Sequence, residues 1–384
     1  AFVIFRNVRF ALDHCKKLPP LLTHKKLTSW GYGVCLALCI YYPAQAGQKY
    51  LTMTQYNFKT FDARGILWGV AENRYPNEAA DFLLHEPFPK RIFNDFNSGA
   101  YLIGRVYPER QVYIDGRTEL YGPDFFEAYV KLCRGHARTI QEAIRRYDLQ
   151  GFFLTNPDKD IHVGLLRYLG RSREWVPVYF DEAAIIFLKK SPENKKLIDR
   201  FGMDLGRWSP PQTKLMKIGI AGPYPYPYVN RGRLLSNLNF HKAAAKEALA
   251  ALEIMPNCSE AFRILMESSY AEKKFWDAYR YARLCLLYDR QNVSARLKLA
   301  LIYQQLGFDK KAIDTVDTLI KQLPRAGQAY YTKALILGKT SLPESIRLLR
   351  QAVILDPRHT QAWEALGDQL KVYSLAPGAF FIRP

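Results

Sequence analysis

From about residue 50 to 205, short apolar runs alternate with segments in which apolar residues return every three or four positions. The runs at 91–94, 111–114, 151–154, 176–180 and 184–188 have strand length and are rich in β-branched and aromatic residues. Between them the 3.6-residue pattern predicts helices over 77–85, 125–132, 139–147 and 160–169. Strands alternating with helices predict a small α/β sandwich with a mostly parallel sheet. An antiparallel hairpin over 175–189, turning at Asp181-Glu182, closes it at one edge. Residues 206–224 then read as a Pro-rich linker. Trp208-Ser209-Pro210-Pro211 and the Pro-Tyr alternation from Pro223 to Tyr228 suit a stiff extended connector better than a helix interior.

Beyond the linker the pattern becomes helical and repeats. Pro256, Arg290, Pro324 and Pro357 are spaced 34, 34 and 33 residues apart. Counting on from each marker finds a large residue that opens the next helix: Phe262, Arg296, Tyr330 and Trp363. Four residues later stands a small or slim one, Met266, Ala300, Ala334 and Gly367, and three further on Ser269, Tyr303, Leu337 and Leu370. Counting back from Pro256 recovers Tyr228, Gly232 and Leu235. Ala244, Ala278, Ala312 and Ser345 hold the small position of the second helices. Small residues let paired helices approach while the bulky one fills the gap to the next pair, and an unrelated bundle would not keep this period. Residues 225–372 therefore resemble tetratricopeptide repeats, an α-solenoid whose curved inner face binds a protein or peptide.

Nearer the N-terminus, residues 27–48 are 22 consecutive positions without a formal charge. Trp30 stands at one edge of the apolar core and Tyr41-Tyr42 at the other. The flank 1–26 carries Arg6, Arg9, Lys16, Lys17, Lys25 and Lys26 against Asp13 alone. This predicts one transmembrane helix over 27–48 with a basic cytoplasmic flank, and places residues after about 48 outside the cytoplasm. The apolar opening Ala1-Phe2-Val3-Ile4-Phe5 reads as the tail of a preceding segment, so a fragment of a longer protein is expected.

Composition narrows the function classes. With 55 basic against 36 acidic residues the chain has a formal charge of +19, which favours anionic partners. No basic, aromatic-interleaved nucleic-acid motif accompanies it. Six cysteines in 384 residues are no disulfide framework, and no set of ligands with metal spacing surrounds them. The histidines stand in no metalloprotease or nucleophile-base context, and no phosphate-binding glycine loop is present. No catalytic residue, metal or cofactor is assigned.

The densest polar and aromatic stretch runs from Phe93 to Ile103, followed by Val112 to Gly122. In each half a short run ends in Asp, so Asp95 and Asp115 would share the carboxyl edge of a parallel sheet, where α/β folds place their sites. Asn94, Asp95, Asp115, Arg117 and Tyr121 are the candidate substrate-binding residues. A structural reading of the same residues has the two carboxylates capping helices, with Arg117 ion-paired to one of them.

The segments Phe93-Asn94-Asp95, Gly99-x-Tyr101-Leu102-Ile103, Ile114-Asp115-Gly116-Arg117 and Tyr121-Gly122 resemble a bacterial family of multi-spanning membrane proteins. There a GT-C-type glycosyltransferase-like membrane portion precedes a small soluble domain and tetratricopeptide repeats. Arg6-Asn7 and Trp175-x-Pro177-Val178-Tyr179-x-Asp181 are similar to further segments of that family. At Ser98-Gly99-Ala100 the chain departs from the family's two adjacent glycines. The resemblance implies the C-terminal, extracytoplasmic portion of a membrane glycosyltransferase in a bacterial inner membrane, its catalytic portion lying outside this chain. Its implied partners are the bilayer, a lipid-linked sugar and a protein acceptor held by the repeats. The alternative is a non-enzymatic, membrane-anchored scaffold.

Overall fold

The computed structural model describes residues 75–155, 162–213, 215, 224–338, 340–357 and 359–374, with Val34, Ala37, Ile40–Tyr42 and Ala44 as isolated positions. The α/β part comprises α1 (Asn77–His85), β1 (Ile92–Asn94), α2 (Phe96–Val106), α3 (Pro123–Cys133), α4 (Ala137–Tyr147) and β2 (Gly151–Thr155). These are followed by α5 (Val163–Arg171), β3 (Trp175–Phe180), β4 (Ala184–Lys189) and α6 (Lys195–Phe201).

The sheet has the order β1-β2-β4-β3 and is mixed. Only β1 and β2 run parallel; β2–β4 and β3–β4 are antiparallel. The expected mostly parallel sheet is therefore corrected, for two reasons legible in the residues. The turn at 181–183 is too short for a crossover, so β4 must return antiparallel to β3. Ala184–Leu188 is apolar at every position and buried throughout, which suits a central strand. Pro177 in β3 has no N–H to give a second neighbour, so β3 takes the edge.

A second correction concerns 111–114, expected as a strand. Among the described residues it contributes one isolated parallel bridge, Arg91 to Gln111. The expected helices are found, shifted by a few residues at some ends, and α2 and α6 are added.

Both sheet faces are covered. Ile92, Phe153, Ile186 and Leu188 point into a core with Ala79, Leu83, Leu102 and Leu197 from α1, α2 and α6. Phe93, Phe152, Ile185 and Phe187 point the other way, toward Leu132, Ile140 and Leu165 of α3, α4 and α5. This alternation is the period-two pattern of a sheet buried on both sides.

The repeats follow as helical hairpins: α7 (Tyr226–Asn237) with α8 (His241–Ile254), and α9 (Ser259–Ala271) with α10 (Phe275–Tyr288). Next come α11 (Val293–Gln305) with α12 (Asp309–Gln322), α13 (Gly327–Leu337) with α14 (Leu342–Leu355), and a last helix α15 (Thr360–Ser374). Pro227 falls in the first turn of α7, where its missing N–H costs no hydrogen bond. The small-residue rule holds physically. A Cβ on Gly232 would sit 3.2 Å from Ile264 Cδ1 and 3.3 Å from Glu247 Cβ, and Met266, Ala300 and Ala334 are fully buried. First helices of successive hairpins touch, α7 with α9 and α11 with α13, so this set lines the inner side of the curve.

The α/β part and the first hairpins share one core. Phe152, Leu169 and Trp175 belong to the same buried cluster as Leu234, Leu238 and Leu265. Trp208, in the Pro-rich stretch, packs edge-on against Phe180 at 4.8 Å.

The span expected over 27–48 lies almost wholly outside the described residues. Among the described residues no helix is long and apolar enough to cross a membrane. The placement in a bacterial inner membrane, with everything after about 48 extracytoplasmic, is corrected accordingly: no described helix carries it.

Candidate functional site

Asn94 ends β1 fully buried, and its amide replaces the missing strand. Its Oδ1 accepts the Tyr113 N–H at 2.6 Å, while its Nδ2 donates to the Ile114 carbonyl at 2.8 Å and to that of Asp95 at 2.9 Å. One side chain thus ties the 111–114 segment to β1 where a ladder would have done so.

Asp95 is the N-cap of α2. One carboxylate oxygen accepts the Ser98 N–H at 3.0 Å; the other accepts the Thr155 N–H at 2.7 Å and hydroxyl at 2.9 Å, at the carboxyl end of β2. Asp95 is fully buried. Asp115 lies across Asn94 from it. It accepts from the Arg117 backbone N–H at 2.8 Å, from Arg117 Nε and Nη2 at 2.9 and 2.8 Å, and from the Tyr121 hydroxyl at 2.9 Å. The Arg117 bonds hold the Asp115 carboxyl well below the usual carboxylate range. Arg117 itself keeps 58% of its side chain exposed, against 2% for Asp115. Tyr121 stacks on Phe125 at 5.1 Å, and burial raises its hydroxyl.

The five sequence-assigned residues therefore fall at one edge of the sheet. Both carboxylates have their oxygens engaged by internal donors, and Arg117 and Tyr121 reach the rim. Gly99 explains how α2 fits there: a Cβ would stand 2.1 Å from the Ile114 carbonyl oxygen and 2.7 Å from the Asp115 Cα. Only a glycine lets the helix approach that backbone.

Behind Asp95 lie Tyr129, His162 and Cys133, all buried. The Tyr129 hydroxyl accepts the Phe96 N–H at 2.9 Å and lies 3.1 Å from His162 Nε2. Burial raises the Cys133 thiol and lowers His162, so at neutral pH the first is a thiol and the second a neutral imidazole. Cys133 is therefore not activated as a thiolate nucleophile. Among the described residues no group of three or more His, Cys, Asp or Glu could hold a metal ion.

A second polar network was not singled out by the sequence. Arg231 on α7 and Glu247 on α8 form a buried ion pair, with Nε at 2.8 Å and Nη2 at 3.1 Å. The Trp208 indole donates to Glu247 at 2.6 Å, and Arg231 reaches Thr213 at 3.2 Å and Glu182, in the β3–β4 turn, at 3.4 Å. The seam between sheet and repeats is thus polar as well as apolar. One sequence signal marks it: in the repeat register Arg231 stands where Leu265 and Leu299 stand in the next two hairpins.

No family model matches the chain, and no curated protein does. The glycosyltransferase-like resemblance therefore rests on motifs alone. Similar solved structures include TTC0263, a TPR protein of Thermus thermophilus, at 14% identity over 38% of this chain and 81% of that one, with a TM-score of 0.35. YrrB, described as a TPR protein with an unusual peptide-binding site, is 19% identical over 40% and 80%, with a TM-score of 0.31. MamA of Desulfovibrio magneticus RS-1 is 17% identical over 38% and 84%, with a TM-score of 0.32. The first two are described as TPR proteins.

Proposed function

We propose that this chain is a protein-interaction scaffold: the inner face of the helical hairpins holds a polypeptide, and the α/β part is a built-in end piece of the array. The observation that supports this reading most is the fate of the polar residues at the sheet edge. Asp95 and Asp115 are engaged by Ser98, Thr155, Arg117 and Tyr121, so their carboxylates position α2 and the 115–121 turn. Substrate binding by a transferase would ask for carboxylates with oxygens to offer. The array, by contrast, carries five first helices from α7 to α15, whose residues vary from hairpin to hairpin and so can encode a ligand.

The test is a selection of random dodecapeptides displayed on phage against the full chain. Peptides are expected whose affinity drops at least tenfold on Leu301→Ala or Tyr331→Ala, half-buried positions on first helices. No selected peptide, or peptides indifferent to both changes, would remove the scaffold reading. Glycan transfer by a longer protein that is lost on Asp115→Asn, with folding intact, would restore the transferase.

A further inference from the structure

Helix α5 leaves the sheet and abuts the first hairpin: a Cβ on Gly170 would stand 3.1 Å from the Leu238 carbonyl, at the α7–α8 turn. One turn earlier on α5 is Arg167. Its Nε is buried and has no protein hydrogen-bond partner; the same is true of Asn239 Nδ2 in that turn and of His241 Nδ1 at the start of α8. Buried polar atoms of this kind are rare, because each forfeits a bond it had to water.

Arg167 and His241 act electrostatically on each other and on two groups of the inner helices, Glu267 of α9 and Lys298 of α11. Lys298 rests its ammonium over the Tyr270 ring at 4.8 Å, and burial first, then Arg167, lowers its pKa. Two carboxylates, Glu267 and Glu272, act on His241, whose pKa burial lowers, so Arg167 and Lys298 carry the positive charge here. Both are already engaged, Glu267 by Arg263 at 2.8 Å and by the Ser236 hydroxyl at 3.3 Å, and Glu272 by Lys274 at 2.5 Å. With both carboxylates committed elsewhere, Arg167 Nε and Asn239 Nδ2 remain donors without an acceptor among the described residues where the end piece meets the first hairpin.

Resting on the scaffold reading above, we propose that Arg167, His241 and Lys298 form an anion site for an acidic side chain of the bound peptide. The guanidinium and ammonium supply charge-assisted bonds to a carboxylate, and α5 fixes where that residue sits along the groove. Lys298 covers one face of the Tyr270 ring, which disfavours base stacking there and so single-stranded nucleic acid as the occupant. The site also accounts for a scaffold whose α/β part is fused to its first hairpin: recognition uses residues from both.

The experiment measures binding of fluorescein-labelled hexaglutamate, hexaglutamine and a dodecathymidylate to the full chain at fixed salt. Hexaglutamate is expected to bind at least tenfold more tightly than hexaglutamine, the factor one charge-assisted bond supplies. Arg167→Gln combined with Lys298→Met should abolish that preference. The same pair of changes should leave the melting temperature unchanged or raise it, since it removes like charges from a partly buried cluster; a purely structural role would lower it. If the variants fail to fold, hydrogen exchange on the native chain decides: hexaglutamate should slow exchange in α5 and at residues 238–241. No preference, a preference that survives in the folded variant, no such protection, or thymidylate binding lost in parallel would each overturn the site. A display selection that returns only uncharged groove peptides, indifferent to Arg167, would overturn it while the scaffold reading stands. Hexaglutamate bound at Arg167 with no selectable peptide would do the reverse.

Discussion

Replacing Glu247 by Leu tests how the two parts of the chain are held together. Glu247 is fully buried and accepts three bonds, two from Arg231 and one from Trp208. With Leu there, Arg231 stays 2% exposed and keeps Glu182 at 3.4 Å, Thr213 at 3.2 Å and the Tyr228 ring at 4.9 Å, none of which replaces a bidentate carboxylate. Removing one member of a buried pair strands the other charge, at a cost of about 3–5 kcal/mol. Arg231→Met strands the carboxylate and should cost a similar amount. The double variant leaves no stranded charge from the pair, and apolar pairs of similar volume often do as well as the ions they replace. It is expected within about 2 kcal/mol of the native chain, giving a coupling energy of about 4 kcal/mol or more. The assay is urea unfolding followed by tryptophan fluorescence and far-ultraviolet circular dichroism, with all four members of the cycle at the same pH. Single variants costing under about 1 kcal/mol each, or costs that simply add, would refute the reasoning: the pair would then be neither buried nor coupled.

Three further outcomes follow from the geometry. Gly99→Ala places a methyl 2.1 Å from the Ile114 carbonyl oxygen, a backbone atom that cannot swing aside, so a loss of about 3 kcal/mol or more is expected by chemical denaturation; a loss below about 1 kcal/mol would mean that α2 can retreat. Asp115→Asn takes the charged acceptor away from Arg117 and Tyr121 and should cost about 1–3 kcal/mol at pH 7, a difference that shrinks as pH falls through the carboxylate range, because the native group's lowered pKa gives stability present only above it. Asp181 behaves oppositely: burial pushes its carboxyl up to about 6 against the bonds from Tyr179, Ala183 and Ala184, so the stability it gives is full below about pH 4 and lost as pH rises through 6. The native chain's stability relative to Asp181→Asn should therefore fall by roughly 2–3 kcal/mol between pH 4 and 7, and a constant difference would contradict the burial of that turn.

Much of the architecture could be read before any coordinates. The 34-residue spacing of Pro256, Arg290 and Pro324 locates each hairpin, because helix pairing depends on small and large residues at fixed positions within one repeat. The sheet strands at 92–94, 151–155, 175–180 and 184–189 are also local signals, carried by apolar runs a few residues long. Asn94, Asp95, Asp115, Arg117 and Tyr121 do fall together, but not for the reason their spacing suggested: Asp115 follows no strand, and the Asn94 side chain holds its segment to β1.

What the residues did not disclose depends on partners distant in sequence. A strand at 111–114 was the natural reading of Val112-Tyr113-Ile114, yet the Asn94 side chain takes the bonds that a ladder would have used. Whether Asp95 would be offered to a ligand or engaged internally hinged on Thr155, sixty residues away. The order of β3 and β4 turned on which of them could be buried on both sides, and the seam on Arg231 meeting Glu247, Trp208 and Glu182 from three separate segments. Periodicity and spacing belong to the linear chain, and they suffice for the hairpin array and the strand-helix alternation. The pairing of buried polar groups belongs to the packed molecule, so which carboxylates are engaged, and where the α/β part joins the groove, emerges only on folding.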